Sequence, residues 1–490
     1  MTEKELSVPK EVTALANTLR AKGFEAYLVG GCVRDLLLDR EPKDWDITTN
    51  ARPEEIQALF KETFYENDFG TVGVVTESED TRLKVIEITP YREEGKYTNA
   101  RHPDEVHWAK TLDEDLKRRD FTINAIAYEP HEKKLVDARG GQDDIRRKII
   151  TTVGEPGERF QEDALRMLRA IRLSAELDFV IESKTAEAIA KNAEELKKIS
   201  RERVRDELTR TLMSDRPMQA LGVAQKLGIL PHIIPELEEG VGIKQNKTHD
   251  FEVFEHLLRC LQHSADKKWP FEVRLAALLH DVGKPATRRW SDEKKDWTFH
   301  GHDVVGARMT KRILQDLHFP KETIEKVVAL VRWHMFFSDP DLVTLSAVRR
   351  TIRNVGKENI ELLLNVRMCD RIGTGRPKEQ PFRLRKYMSM IDEAMRDPTT
   401  VAMLKIDGSR IMEVTSEAAG PRIGWILHAL LEEVLDEPKK NTEEYIENKV
   451  QELAKLSDAE LKKLGEAGKE RREKEDEAAV KKIRSERHVH

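Results

Sequence analysis

Residues 27–47 read YLVGGCVRDLLLDREPKDWDI, and this stretch decides the fold. The apolar run YLV breaks at Gly30 and Gly31, a short helical pattern follows, and a second strand-like segment carries Asp44 and Asp46. Successive side chains on a strand alternate faces, so aspartates at this spacing point the same way. By itself such a pair is ordinarily a solvated strand edge. Here a glycine turn stands between strand and helix, where bare backbone N–H groups and a helix N-terminus receive anions. Arg34, one turn into the helix, adds a planar donor fork for phosphate. Carboxylates beside a phosphate cradle are a usual way to hold Mg²⁺, with substrate oxygens completing its shell. Glu87, in LKVIEITPY, offers a third acid from a later strand. The pattern predicts a two-metal phosphoryl-transfer site.

The rest of the chain sets limits on that site. At 490 residues it is too long for one core. Its 84 Lys and Arg against 90 Asp and Glu argue against a uniformly basic nucleic-acid coat and leave room for a local basic groove. No apolar run reaches the ~20 residues of a membrane span, and the opening residues MTEKELSVPKEV lack a signal-peptide pattern. Cys32, Cys260 and Cys369 form no CxxC pair, which predicts buried reduced thiols and a cytoplasmic protein.

Strand patterns EAYLVGG, WDITT, TVGVVTE, LKVIEITPY and AIAYEP concentrate before residue 150, and from about 155 the chain reads as helical. The expected fold is an α+β head with a mixed sheet, followed by an all-α body. The expected domains are 1–150 for the head and 151–235 for a helical neck that recognises nucleotide and RNA. Residues 236–375 form a third domain, 376–450 a helical body for tRNA, and 451–490 a charged tail, helical or disordered.

The motif LVGGCVRDLLL…KDWDI resembles the GG-x-V-R-D…D-x-D element of class II tRNA nucleotidyltransferases and bacterial poly(A) polymerases, in the DNA polymerase β superfamily. EDLKRRDFTINAIAY, VDARGGQDDI, RFQEDALRMLRAIRLSAELDF and SRERVRDEL follow in the order of that family's later motifs. The resemblance implies that Asp44 and Asp46 hold Mg²⁺. It also implies that Gly31, Arg34, Arg119, Asp120 and Asn124 join the nucleotide site.

Asp163, Arg166, Arg169 and Arg172 recur every third residue, so a continuous helix would carry them as one slowly winding ridge. Such a ridge suits a nucleoside triphosphate, with Arg169 and Arg172 toward the phosphates. A carboxylate only accepts hydrogen bonds and a guanidinium only donates. An Asp163–Arg166 pair therefore complements the amino group and bare ring nitrogen of adenine and cytosine, and mismatches uracil and guanine. The resemblance implies that this pair selects CTP and ATP in place of a template.

These motifs are shared by CCA-adding enzymes and poly(A) polymerases. The stretch between the D-x-D and RRDF motifs lacks a basic GRRF-like run, and REEGKYTNARHPDEV keeps a loop able to reshape the pocket between C and A. KIDGSRIMEV and AAGPRIGWILHALLEEVLDEPKKNTEEYI resemble the family's tail segment. The expected function is CCA addition to the acceptor end of tRNA from CTP and ATP. Poly(A) or A-only addition is the alternative.

HDFEVFEHLLRCLQ, RLAALLHDVGKP, FHGHDVVGARMTKRIL, VRWHM and NVRMCDRIG resemble an HD domain. The resemblance implies the ligands His256, His280, Asp281 and Asp370, with His302 and His334 at positions used by two-metal members. Imidazoles mixed with carboxylates suit Mn²⁺, Ni²⁺, Co²⁺, Fe²⁺ or Zn²⁺, and the implied chemistry is phosphohydrolysis. His249, His263 and His300 are expected to be bystanders. A further alternative makes the chain chiefly a phosphohydrolase with a tRNA-binding head.

Overall fold

The computed structural model describes residues 5–65, 70–94, 106–247, 249–336 and 343–466. The loop expected to reshape the pocket falls largely within 95–105, and that segment and the tail beyond 466 lie outside the described residues. The chain divides into two compact units, Met1–Ile233 and Ile234–His490. Among the described residues no helix is long and apolar enough to cross a membrane.

In the first unit the sheet comprises β1 (Tyr27–Val29), β2 (Asp46–Thr49), β3 (Thr63–Tyr65), β4 (Val72–Val75) and β5 (Val85–Pro90). A separate hairpin pairs β6 (Arg92–Glu94) with β7 (Val106–Trp108), and the main sheet is completed by β8 (Ala127–Glu129) and β9 (Lys134–Val136). Its order is β3-β4-β5-β2-β1-β8-β9. Only β2 and β5 pair in parallel within it, so the sheet is mixed. Alternation sets its two faces: Ile86 and Ile88 of β5 are fully buried, while Glu87 between them turns to the other side. Each such aliphatic side chain removed from water contributes about 1.5–3 kcal/mol.

The five sequence-predicted strands all form. β3, β9 and the short hairpin were not predicted, and small strand pairs also occur in the helical region, as at Arg289–Ser291 with Asp296–Thr298. One local expectation is corrected. Asp44 lies in a bend ahead of β2, which begins at Asp46. The ladder reaches back only to Trp45, whose carbonyl accepts from Glu87 N–H at 3.1 Å.

The second unit is helical. Helices Val253–Asp266, Phe271–Leu279, His302–Asp316, Lys321–Trp333 and Ile360–Gly373 surround a buried histidine cluster. Beyond them, Gly408–Thr415, Pro421–Asp436 and Glu443–Leu453 share a core that includes Ile411, Ile426, Leu430 and Val450. Leu453 and Leu461 are buried in this same core, so the segment after 450 begins as packed helix rather than solvated tail.

Candidate active site and metal centre

The glycine turn is forced by crowding. Gly30 has φ of 77°, and a Cβ there would lie 3.2 Å from Arg119 Nη1 and 3.3 Å from Asp46 Oδ2. A Cβ on Gly31 would come within 3.9 Å of Asp44 Oδ1. Both aspartates therefore face the turn even though only Asp46 is on the strand. Across β2–β5 the Cα partner of Asp46 is Glu87, which adds a third carboxylate on the same face. The carboxylates leave their mark on Cys32 beneath them: burial, then the Asp46 and Asp44 charges, push its thiol up to about 12. Two carboxylates against one glycine turn, with Glu87 in register beside Asp46, fit a divalent cation such as Mg²⁺.

Asp115, fully buried, holds Arg119 in place. It accepts from Arg118 Nε at 2.9 Å, Arg119 Nη2 at 3.2 Å and Thr48 Oγ1 at 3.3 Å. Burial works against its charge, but the two arginines hold its carboxyl below the usual range. Sequence reasoning passed over Asp115, although its spacing three and four residues ahead of Arg118 and Arg119 on a helix is a visible sign.

Arg34 is buried, and its Nη1 donates to Asn124 Oδ1 at 2.7 Å while Nε bonds Asp35. Asn124 in turn donates to Asp120 Oδ1 at 3.1 Å, and Asp120 Oδ2 accepts from Arg169 Nε at 2.9 Å and Nη2 at 2.7 Å. The VDARGGQDDI element braces this turn. Thr122 Oγ1 donates to Asp144 at 2.5 Å, and a Cβ on Gly141 would sit 2.2 Å from the Thr122 carbonyl oxygen.

The expected ridge keeps Arg166, Arg169 and Arg172 on one helix and loses only Asp163. One helix, Pro156–Glu162, ends before Asp163, and the next runs Leu165–Leu177. The Asp163 carboxylate accepts the Leu165 N–H at 3.0 Å, the local capping by which aspartate competes with helix continuation. Asp163 and Arg166 also take other partners than each other: Asp163 pairs with Arg203 at 2.7 Å and Arg166 with Glu162 at 2.6 Å. Acids missing from the ridge itself come from the helix Arg201–Met213. Arg172 Nε donates to Glu207 at 2.8 Å, and Glu207 lies 4.0 Å from Arg169. Arg203 and Glu207 were missed as individuals, although SRERVRDEL places them one helical turn apart.

A cavity of about 670 Å³ joins these groups. Gly31, Arg34, Asp44, Asp46, Asn124, Arg169 and Arg172 line it, and Glu87, Arg119, Asp120, Asp163 and Arg166 do not. It is an acidic corner opening onto an arginine wall.

In the second unit all six predicted ligands meet. His256 and His280 place their Nε2 atoms 3.1 Å apart, 3.1 and 3.3 Å from Asp281 Oδ2 and 3.5 and 3.7 Å from Asp370 Oδ1. On the other side of Asp281, its Oδ1 lies 3.2 Å from His302 Nε2 and 3.6 Å from His334 Nε2. Donor atoms within each group lie within 4.8 Å of one another, so Asp281 is shared by two candidate metal positions. The tautomers fit. Nδ1 of His280, His302 and His334 each meets a backbone carbonyl, of Ala277, Phe299 and Val331, at 2.7–2.9 Å. Those N–H donors leave Nε2 as a lone pair. Facing lone pairs repel unless a cation or proton lies between them. Burial opposes a charged His280, yet the Asp281 and Asp370 carboxylates push it up to about 10, the mark of a site that demands positive charge.

Lys284 Nζ lies 2.5 Å from Asp281 Oδ2 but out of line for a hydrogen bond, and it donates to Gln245 Oε1 at 2.6 Å. Two expected bystanders are not remote: His249 and His300 border the approach to the cluster, and His249 lies 3.4 Å from Lys284 Nζ. His263 instead pairs with Glu379 at 3.3 Å. All three cysteines are buried and free.

Comparison with known proteins follows the same division. Residues 26–151 match the poly A polymerase head domain, 178–240 the probable RNA and SrmB-binding site of polymerase A, and 253–375 the HD domain. A CC-adding tRNA nucleotidyltransferase of Thermus thermophilus is 32% identical over 426 residues, 83% of this chain and 89% of the relative. A CCA-adding enzyme of Geobacillus thermodenitrificans is 30% identical over 443 residues, covering 89% and 95%. The chain belongs to the tRNA nucleotidyltransferase and poly(A) polymerase family. It is a nucleotidyltransferase with a fused HD domain, and both domains belong to classes that generally use divalent metals. A CCA-adding enzyme of Lactobacillus helveticus is 48% identical over 207 residues, 42% of this chain and half of that relative. The crystal structure of the Bacillus stearothermophilus CCA-adding enzyme in complex with CTP superposes with a TM-score of 0.68 at 28% identity, covering 91% of this chain and 98% of that one.

Proposed function

We propose that this family member builds the whole CCA end of tRNA from CTP and ATP. The observation that carries this is the cavity where Asp44 and Asp46 meet Gly31, Arg34, Asn124, Arg169 and Arg172. The tRNA 3′-oxygen bonds to the α-phosphorus of the nucleotide as the bond from that phosphorus to pyrophosphate breaks. Asp44 and Asp46, with Glu87 in register, would hold Mg²⁺, which supplies charge neutralisation and acidifies the attacking hydroxyl. Arg34, Arg169 and Arg172 bind the triphosphate, and Arg119 stands at the glycine turn. Asp163 and Arg166 select adenine and cytosine. A carboxylate has lone pairs for both Arg203 and a base amino group, so selection does not require the Arg203 pair to break. Relatives of this chain divide between full CCA addition and partial addition. The loop sequence REEGKYTNARHPDEV and the tail segment favour full addition. Supplying truncated tRNA with CTP and ATP, singly and together, tests this; a long A tract from ATP alone contradicts it.

The HD cluster is read as a second, hydrolytic centre in the same cytoplasmic protein. Its support is the pair of donor sets sharing Asp281, which suits Mn²⁺, Ni²⁺, Co²⁺, Fe²⁺ or Zn²⁺. Its substrate is a phosphate ester at an RNA end. In a 2′,3′-cyclic ester, a water oxygen bonds to phosphorus, one P–O bond breaks, and the proton passes to the freed ribose oxygen. Hydrolysis of a cyclic-phosphate substrate with Mn²⁺ or Ni²⁺ tests this reading.

A further inference from the structure

The histidine cluster opens into a cavity of about 940 Å³, at the upper end of the roughly 300–1,000 Å³ that small-molecule sites occupy. A single phosphate ester at the metals leaves much of it unfilled. Two features of the remaining wall point to what fills it.

The first is unneutralised charge. Arg371 and Arg376 both line the cavity. Arg367 beside them is committed to Asp370 at 2.6 Å. Arg371 donates only to a backbone carbonyl, that of Lys378 at 2.5 Å, and Arg376 has no carboxylate partner among the described residues. Two guanidiniums on one cavity wall, neither bonded to a carboxylate among the described residues, are the chemistry of a phosphate subsite. Arg371 directly follows the candidate ligand Asp370 on the helix Ile360–Gly373, so this charge stands beside the cluster.

The second is an aromatic ring left in water. Phe382 lines the same cavity and is 70% exposed, in a helix whose following apolar residue, Leu384, is buried. An exposed ring on the wall of a cavity that also carries these two guanidiniums is a stacking platform for a nucleobase.

We infer that this pocket takes an RNA 3′ end as a substrate of at least two nucleotides. The terminal phosphate ester lies at the His/Asp cluster, the next phosphodiester on Arg371 and Arg376, and a base against Phe382. This rests on reading the cluster as a phosphate-ester site, and the experiment separates the two ideas. Full-length protein loaded with Mn²⁺ is given adenosine 2′,3′-cyclic phosphate and ApA ending in the same cyclic phosphate. In parallel, the Kd values of 3′-AMP and ApAp are measured by calorimetry on the metal-free protein. The dinucleotide is expected to be favoured roughly tenfold or more in both kcat/KM and Kd. Arg376→Gln brings both ratios close to one, through KM more than kcat. Phe382→Ala weakens dinucleotide binding, and Phe382→Trp restores it. Equal affinity for the two ligands, or ratios indifferent to Arg376→Gln and Phe382→Ala, overturns the inference. Preference in binding without any hydrolysis refutes the hydrolase reading and leaves the two-nucleotide subsite standing.

Discussion

Asp46 and Glu87 stand directly opposite one another across the parallel β2–β5 pair. Strands lie about 4.8 Å apart, so two carboxylates in that register repel unless a cation lies with them. Asp44, from the bend before β2, faces the same glycine turn. Replacing Asp44 or Asp46 by Ala is expected to lower nucleotide incorporation ~10³-fold or more, while tRNA binding in a gel shift persists. Glu87→Gln should cost less, because it removes one charge and keeps the shape. Normal incorporation by Asp46→Ala would remove the metal assignment.

Asp115 is a positioning residue for Arg119. Asp115→Asn keeps the volume and removes the charge that fixes two guanidiniums. The expected result is a kcat/KM for CTP and ATP lowered roughly ten- to hundredfold, carried mainly by KM, in assays run below a thermal transition that itself falls because two guanidiniums lose their buried carboxylate. A loss confined to stability would make Asp115 merely structural.

The Asp120–Arg169 pair ties the RRDF turn to the helix Leu165–Leu177. Burial opposes the Asp120 charge, but Arg169 and the Asn124 amide hold its carboxyl well below the usual range. A carboxyl depressed in the folded state contributes stability above its unfolded value of about 3.8, and that stability is lost as pH falls below it. Urea midpoints of the wild-type chain should therefore drop on acidification from pH 5 to pH 3. Asp120→Asn should lose about 3 kcal/mol near neutrality and show a shallower acid limb. A parallel acid limb in the variant would place the titration elsewhere.

Asp281 sits between two donor sets, so its loss and the loss of one histidine have different consequences. Calorimetric titration of the EDTA-treated protein with Mn²⁺ is expected to give two binding events in the second unit. His256→Ala should remove one and His334→Ala the other, and Asp281→Asn should weaken both. Equal stoichiometry in all four proteins would rule out the shared carboxylate.

The parts of this molecule legible in sequence are those fixed by local pattern. Alternation gave five strands of the head sheet, and the pair Asp44 and Asp46 beside a glycine turn gave the acidic corner, although Asp44 reaches it from a bend and not from the strand. What local pattern could not supply was the identity of distant partners. Arg172 finds its acid in Glu207, 35 positions on, and Asp163 pairs with Arg203 across 40. The helical ridge keeps its three arginines and loses Asp163 for a local reason: its carboxylate accepts the Leu165 N–H two residues on, in the break between two helices. His249 and His300 carry no spacing that ties them to the cluster, and only folding brings them to its mouth. β3 and β9 are as short as β1 and β8 but sit among charged residues, in KETFYEND and EKKLVDAR, without the flanking apolar run that marks EAYLVGG and AIAYEP.

One pocket that adds C twice and A once leaves a product of countable length. The most direct measurement is gel-resolved extension of a tRNA ending before its CCA, with Mg²⁺ and CTP alone, ATP alone, or both. Two residues are expected from CTP alone, and a stop at three with both nucleotides. A stop at two with both nucleotides, or a growing tract from ATP alone, would contradict it.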